Sequence, residues 1–329
     1  MESTRSKIIN LLSTKQDTYI SGQEISNQLN ISRSAIWKHI KELEKAGFII
    51  EGIRNKGYRI VQSPNNVSEN TVQWGLNTKW LGKSIIHKES TTSTQHLAHQ
   101  LASEDKEHGT VVIADEQTQG KGRLSRDWYS AKDKGIWMSI LLRPTIPPYL
   151  APQLTLLTAT VLADVLKESL NLVPKIKWPN DILLDNKKVS GILTEMQAEQ
   201  DRIDYVVIGI GMNVNHEQQD LLANIQSKAT SLKLVSGKSI DITELIQKIL
   251  EYFEAAYEEF MNNGFSNIKE KWESYGYRLG ESISITTYHD VQKAVLVGID
   301  EDGALLAKFK DDEIKKIYSG EIDWFGNEN

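Results

Sequence analysis

Ile8, Ile9, Leu11 and Leu12 recur at helical spacing near the start of the chain and predict a short amphipathic helix. Ser21-Gly22-Gln23-Glu24 follows with capping-box spacing, Ser21 as N-cap and Glu24 reaching back, and Ile25 and Leu29 continue the apolar stripe. Asn30-Ile31 reads as a turn. Ser32 then caps a third helix in which Ile36, Ile40 and Leu43 share one face, while Arg33, Ser34, Trp37, Lys38 and Lys41 are left outward. After Gly47 come strand-like runs over 48–53 and 58–61, joined by Arg54-Asn55-Lys56-Gly57. Helices followed by a hairpin with a basic tip predict a winged helix-turn-helix. Its second helix would lie in a major groove, and Lys56 at the wing tip would touch phosphate or minor groove. A plain protein-interaction module has the same outline.

Gln62-Ser63-Pro64-Asn65-Asn66 breaks both periodicities and marks a junction. Beyond it, strand-like runs at 85–88, 111–115, 136–142, 175–178, 182–184, 188–196 and 205–212 outnumber helices at 93–103 and 150–170. Several strands are joined by short turns, so the expected class is α+β with a mixed sheet. A helix over 243–264 carries Leu245, Ile249, Tyr252, Phe253 and Tyr257 as its core stripe, and a second helix runs through Trp272. Short strands at 282–287, 291–299, 304–309 and 313–317 then predict a small barrel, with Asp300-Glu301-Asp302-Gly303 as one turn. The domains read as 1–63, 67–275 and 276–329.

A length of 329 residues fits two or three domains, and 25% charged with 40% hydrophobic residues is ordinary for a soluble globular protein. Cysteine is absent, which removes disulfides, thiolate chemistry and Cys-type zinc sites. No apolar run of spanning length and no charged-then-apolar leader is evident, so neither membrane insertion nor export is expected and a cytoplasmic location follows. Charge is uneven: residues 1–63 hold ten Lys/Arg against six Asp/Glu, in a chain whose net charge is −6. A basic N-terminal part on an acidic protein points to an acidic polymer such as DNA as its partner.

Four clusters in the central part carry chemistry. Gly120-Lys121-Gly122-Arg123-Leu124-Ser125-Arg126-Asp127-Trp128, entered from a strand through Gln117, packs glycines, cations and a tryptophan together. Such a loop holds an anion with backbone N–H groups and positive side chains, and Trp128 offers a flat face for a ring. Lys177-Trp178-Pro179-Asn180-Asp181 projects an amide and a carboxylate from a proline turn. Lys187-Lys188-Val189-Ser190-Gly191 begins a strand with cations followed by a backbone gap. Ile208-Gly209-Ile210-Gly211-Met212-Asn213 alternates glycine along one strand face, which weakens a strand unless something lies flat against it. Each also has a plainer reading, as a solvated basic loop, an Asx-type turn or solubilising hairpin lysines. No Walker sequence or dinucleotide fingerprint is present.

In this order, and together with Ser93-Thr94-Gln95, the clusters resemble one family, the bifunctional biotin-protein ligases and biotin operon repressors. The resemblance runs over essentially the whole chain. The 120–128 loop is specific to biotin ligases, whereas the Trp178-Pro179-Asn180-Asp181 turn is also similar to one in lipoate ligases. Family loops often carry arginine where this chain has Lys121, which keeps the charge but not bidentate contact; position 95 varies in the family.

The resemblance implies a central fold of the class II aminoacyl-tRNA synthetase-like, biotin/lipoate ligase kind and an SH3-like C-terminal barrel. It also implies that biotin and ATP, with Mg²⁺, give biotinyl-5'-adenylate and pyrophosphate, after which a lysine of a biotin carboxyl carrier domain of a biotin-dependent carboxylase takes the biotinyl group. Ser93, Thr94, Gln95 and Gln117 would then meet the ureido head. Gly120, Lys121, Gly122, Arg123 and Lys188 would surround carboxylate and α-phosphate, with Arg126 on the ATP phosphates. Trp128 and Asn180 would serve adenine and its phosphates, and Gly191, Gly209, Gly211 and Asn213 would let the ligand lie against the sheet. Asp181 would steer or deprotonate the incoming amine. Operator DNA and a ligand-bound homodimer are the further partners implied. A biotin-sensing transcription factor without ligase activity, or a lipoate or octanoate ligase, are the alternatives.

Overall fold

The computed structural model describes residues 4–13, 18–64, 66–286, 291–318 and 321–324. Asn65 of the junction and Thr287 at the end of one expected strand lie outside them. Helices α1 (Thr4–Ser13), α2 (Gly22–Leu29) and α3 (Arg33–Lys45) precede the antiparallel hairpin of β1 (Ile49–Ile53) and β2 (Gly57–Gln62). Ser21 Oγ accepts the N–H of Glu24 and Ser32 Oγ that of Ala35, so both helices after the first start where their caps are. Asn30 closes α2 in the left-handed conformation. The hairpin is tied to the helices by a bridge between Ile20 and Tyr58, and a Cβ at Gly57 (φ +119°) would sit 2.0 Å from Ile20 O. Ile8, Ile9, Leu12, Ile25, Ile36, Ile40, Leu43 and Ile60 close this unit around a core of its own.

After α4 (Glu69–Gln73), strand β3 (Ile85–Lys88) leads to α5 (Thr94–Ser103), β4 (Thr110–Ala114), β5 (Gly135–Leu142) and α6 (Ala151–Leu170). Then come β6 (Lys175–Lys177), β7 (Asp181–Leu184), β8 (Lys187–Glu199), β9 (Arg202–Asn213), α7 (Leu232–Ser236), α8 (Ile242–Asn263) and α9 (Ser266–Tyr275). The seven strands form one mixed sheet in the order β3-β4-β5-β9-β8-β7-β6, in which β3 and β4 run parallel and every other pair is antiparallel. Asp185 and Asn186, both with positive φ, make the two-residue turn from β7 to β8. Helix α5 packs on one sheet face through Ala98, Leu101 and Ala102, and α6 and α8 cover the other.

Pro148–Leu170, which contains α6, is long and apolar enough to cross a membrane, and this corrects the sequence-based expectation that no run reaches that length. Val161, Leu162, Val165 and Leu166 are fully buried between the sheet and α8, which accounts for the composition as that of a core helix.

Strands β10 (Ser282–Thr286), β11 (Val291–Ile299), β12 (Leu305–Lys308), β13 (Ile314–Ile317) and β14 (Glu321–Asp323) form a five-stranded antiparallel sheet in the order β13-β12-β11-β10-β14. Four or five short strands were expected here, and the fifth, β14, is the one for which the pattern gave no range. Ile283, Ile285, Leu296 and Leu305 belong to the same apolar cluster as the central sheet. Contacts cross the expected 275/276 boundary: Tyr277 N–H donates to Ile176 O at 2.8 Å. Trp178 Nε1 donates to Gly303 O at 3.1 Å, and Gln153 Nε2 to Glu301 O at 2.7 Å.

One prediction follows from these cores. Deleting residues 1–63 leaves a chain that melts cooperatively, because the N-terminal core is separate. Deleting 276–329 instead uncovers Trp178 and Trp272 and leaves no cooperative transition. Calorimetry of both truncations checks this, and a cooperative melt for the second would contradict the shared core.

Candidate active site

Strand register brings distant sequence clusters into one row. Trp137 on β5 pairs with Gly211 on β9, Gly211 with Gly191 on β8, Gly191 with Asp181 on β7, and Asp181 with Lys177 on β6. The next row holds Ser139, Gly209 and Leu193. Directly paired residues point to the same sheet face. Both rows face the side on which the N-terminus of α5 and the 120–128 loop sit, and together they enclose a cavity of about 830 Å³.

Ser93, Thr94, Gln95 and Gln117 stand at one end of this cavity. Gln117 Oε1 accepts from Thr94 N (2.9 Å) and Thr94 Oγ1 (3.1 Å), and its Nε2 donates to Ser130 Oγ (2.8 Å). Ser139 Oγ lies 2.9 Å from Thr94 Oγ1 and 3.1 Å from Gln95 Oε1, while Gln95 Nε2 donates to Val207 O at 3.1 Å. Ser93 caps α5 by position, yet its buried Oγ has no hydrogen-bond partner. A buried hydroxyl without a partner costs free energy that a polar ligand atom would relieve.

The loop residues Lys121, Gly122, Arg123, Arg126 and Trp128 line the middle, with Asn180, Asp181 and Lys188 opposite. Arg123 Nη1 donates to Asn180 Oδ1 at 3.2 Å, and Asn180 Nδ2 to Ile192 O at 2.8 Å, so Asn180 ties the arginine to the sheet. Lys188 Nζ sits 2.7 Å from Asp181 Oδ1 and 5.0 Å from the Trp128 ring centre. Lys177 Nζ approaches the other Asp181 oxygen at 3.8 Å; burial pulls the Lys177 ammonium below the usual lysine range and the Asp181 charge partly restores it. Six cations (Lys121, Arg123, Arg126, Lys177, Lys188 and Lys228) face two carboxylates (Asp127 and Asp181) across the cavity. That imbalance suits a ligand with several negative charges.

Three expectations are corrected by this geometry. Gly120 is not on the cavity wall: a Cβ there would lie 2.4 Å from Trp128 O, so glycine is needed where the two arms of the loop cross, with Trp128 N–H donating to Gly120 O at 2.9 Å. What lies flat on Gly211 and Gly191 is the chain's own Trp128, whose ring would be 2.6 Å and 2.9 Å from Cβ atoms added there. Gly209 in turn makes room for Gln95 Oε1, at 2.6 Å from such a Cβ. Finally, Asp181 is the counter-ion of Lys188 and Lys177 rather than an open carboxylate.

Asn213 lines the far end of the cavity and donates through Nδ2 to Thr230 O at 3.0 Å. The lining also holds residues not anticipated from the sequence: His216, Leu221 and Ile225 and, from the C-terminal part, Ile322 on β14 and Trp324 just after it. Ser139 was also missed, although a hydroxyl inside the apolar run Gly135–Leu142 was a visible signal. Nothing in the local pattern marked His216.

Residues 87–213 match the Biotin/lipoate A/B protein ligase family, 4–59 an HTH domain, and 279–324 the Biotin protein ligase C terminal domain. The chain is 45% identical over 324 residues to the bifunctional ligase/repressor BirA of Bacillus subtilis (strain 168), covering 98% of this chain and 99% of that one. The chain belongs to the bifunctional biotin-protein ligase/repressor family. It is a biotin-protein ligase that carries a repressor's DNA-binding domain. BirA of Escherichia coli (strain K12) is 27% identical over 96% of this chain and 95% of its own. The biotin protein ligase from Aquifex aeolicus in complex with biotin and ATP superposes with a TM-score of 0.63 at 32% identity, over 73% of this chain and 98% of that one.

On the DNA-binding unit, Arg33, Ser34, Trp37, Lys38 and Lys41 all lie on the exposed side of α3, and Trp37 is 56% exposed. Lys41 pairs with Glu44 on the same helix. Lys56 is exposed at the hairpin tip with its Nζ 6.0 Å from the Tyr19 ring centre.

Proposed function

We propose that the cavity joins biotin to AMP and then hands the biotinyl group to the ε-amine of a lysine on a biotin carboxyl carrier domain. In the first step a biotin carboxylate oxygen attacks the α-phosphorus of ATP and pyrophosphate leaves. In the second the amine attacks the acyl carbon, AMP leaves, and the amine loses a proton. The observation that carries this reading is the convergence of six cations on a cavity whose opposite end holds an unpartnered buried hydroxyl, Ser93 Oγ. Two anions must meet in the first step, and positive charge aimed at the point of attack lowers that barrier.

Ser93, with Thr94, Gln95 and Gln117 behind it, receives the ureido head. Lys121, Arg123 and Lys188 neutralise carboxylate and α-phosphate, and Arg126 meets the leaving phosphates. Trp128, whose buried Nε1 has no partner, supplies a ring face and a donor to the nucleotide. Gly122 keeps the loop backbone close to the ligand, Gly191 seats Trp128, and Asn180 holds Arg123. Asp181 fixes Lys188 in the first step and takes part in the second only once that pair opens. Among the described residues no group of three or more His, Asp or Glu could hold a metal, so Mg²⁺ would arrive on the phosphates with water as its main ligand.

The α3 face and Lys56 engage operator DNA of biotin genes. Biotinyl-5'-adenylate orders the 120–128 loop, which then forms part of a homodimer surface and sets two winged helices on two half-sites. ATP, carrier protein and operator meet in the cytoplasm, where we place the chain. Incubation with radiolabelled biotin, ATP, Mg²⁺ and an apo carrier domain tests the ligase reading: label appears on the carrier, and its absence overturns the assignment. For the repressor, operator affinity rises when biotin and ATP are added together. Equal affinity in both states, with sedimentation followed alongside, would disconnect the loop from the DNA-binding unit.

A further inference from the structure

His216 lies just after β9 with no solvent exposure, and neither ring nitrogen makes a well-formed hydrogen bond, although the Lys134 backbone lies close enough to act on the ring. Its backbone is fixed on both sides: Ser231 Oγ donates to His216 O at 2.7 Å, and Asn215 N–H donates to Lys134 O at 2.7 Å. The ring meets Trp137 edge to face, with centroids 5.9 Å apart and planes at 76°, and lines the cavity. A buried imidazole without a well-formed hydrogen bond is uncommon, because a neutral histidine has one donor and one acceptor to satisfy. Its nearest charges are engaged with each other, Lys134 Nζ lying 3.1 Å from Asp220 Oδ2.

The surroundings narrow what the ring could meet. Burial pushes the His216 imidazole down to about 4, so near neutrality it is uncharged and offers nothing special to a phosphate or carboxylate. Apart from Lys228, the cations of the cavity belong to the loop and to β6–β8. Leu221 and Ile225 line the cavity alongside His216, whose ring packs on the buried Trp137. A flat, uncharged group with a polar edge fits such a place.

Resting on the ligase reading above, we propose that His216 is a nucleotide-binding residue of this site, one of its buried ring nitrogens taking a hydrogen bond with the nucleoside of ATP when the nucleotide enters the cavity. The contact adds to ATP affinity and leaves biotin affinity alone, because the biotin head is received at the Ser93 end. A neutral imidazole can present either tautomer to the base, so the residue contributes affinity more than discrimination between bases.

The test uses the full chain with its two substrates measured separately by calorimetry, ATP with Mg²⁺ in one series and biotin in the other. His216→Phe keeps a ring against Trp137 without nitrogen, and His216→Gln keeps a polar atom. The expected result is a weakening of ATP binding by about tenfold in the Phe variant, the scale of one buried hydrogen bond. Biotin affinity stays within about twofold and the Gln variant recovers part of the loss. A purely structural role would move both affinities together and treat Phe and Gln alike. Independently of any variant, the imidazole nitrogen resonances of His216 in the wild-type chain shift on adding ATP and not on adding biotin. Unchanged ATP affinity in a folded Phe variant, a parallel loss of biotin binding, or His216 resonances indifferent to ATP would each overturn the proposal. Failure of the wild-type chain to bind ATP at all would instead strike the ligase reading on which it rests.

Discussion

Arg123→Ala slows biotin-dependent release of pyrophosphate from ATP by about 10²-fold or more, the effect of losing a charged donor aimed at a transition state. The side chain lines the cavity and is steered by Asn180 Oδ1 at 3.2 Å, so its charge is pre-positioned rather than recruited. Because the interaction strengthens as charge concentrates on the attacked phosphorus, the loss falls mainly on kcat and less on the KM for biotin. Arg123→Lys keeps the charge but not the planar fork that Asn180 holds, and it recovers only part of the rate. Operator binding by the ligand-free variant stays at the wild-type level, since the DNA-binding unit has its own core. A near-normal kcat for Arg123→Ala would remove this residue from the catalytic assignment.

Gly211→Val is the second large effect expected. A Cβ at Gly211 would stand 2.6 Å from the Trp128 indole, closer than packed atoms tolerate, and the strand on either side has no slack because Trp137 and Gly191 flank Gly211 in register. The ring must therefore leave its seat, taking with it the contact to Lys188 Nζ at 5.0 Å. Valine suits an extended strand, so the sheet itself survives. Displacing reacting groups by about 1 Å costs on the order of 10²-fold in rate, and adenylate synthesis should fall at least that far. Tryptophan fluorescence shifting to that of an exposed indole, together with the rate loss and an intact circular dichroism spectrum, is the combined signature. Wild-type kinetics in the valine variant would mean that the Trp128 position on the glycines is irrelevant to catalysis.

The contrast between these two sites indicates how much could be read in advance. Arg123 stood out because a run of glycines and cations has few purposes, and the chemistry of an anion site is local. Gly211 was noticed because alternate glycines weaken a strand, but the occupant proved to be Trp128, eighty-three residues earlier in the chain. Asp181 stood out in its turn for the same local reason, yet its role depends on Lys188, brought beside it by the hairpin of β7 and β8. His216 carried no signal at all, since its lack of a well-formed hydrogen bond arises from burial against Trp137 and that contact is invisible in one dimension.

The sequence by itself determined the winged helix-turn-helix, most of the strands and helices though not α4, α7 or β14, and the four motifs that the fold brings to the cavity. Those rest on caps, two-residue turns, apolar periodicity and short runs, each of which acts within a few residues. Only the tertiary structure decided that Gly120 braces the loop instead of facing the ligand, that the C-terminal sheet shares the central core, and that Asp181 is paired with lysines. The physical reason is the range of the interactions. Strand register, the return of a loop across a sheet and the closure of one core over two sheets depend on which distant surfaces exclude water together, and no local pattern encodes that choice.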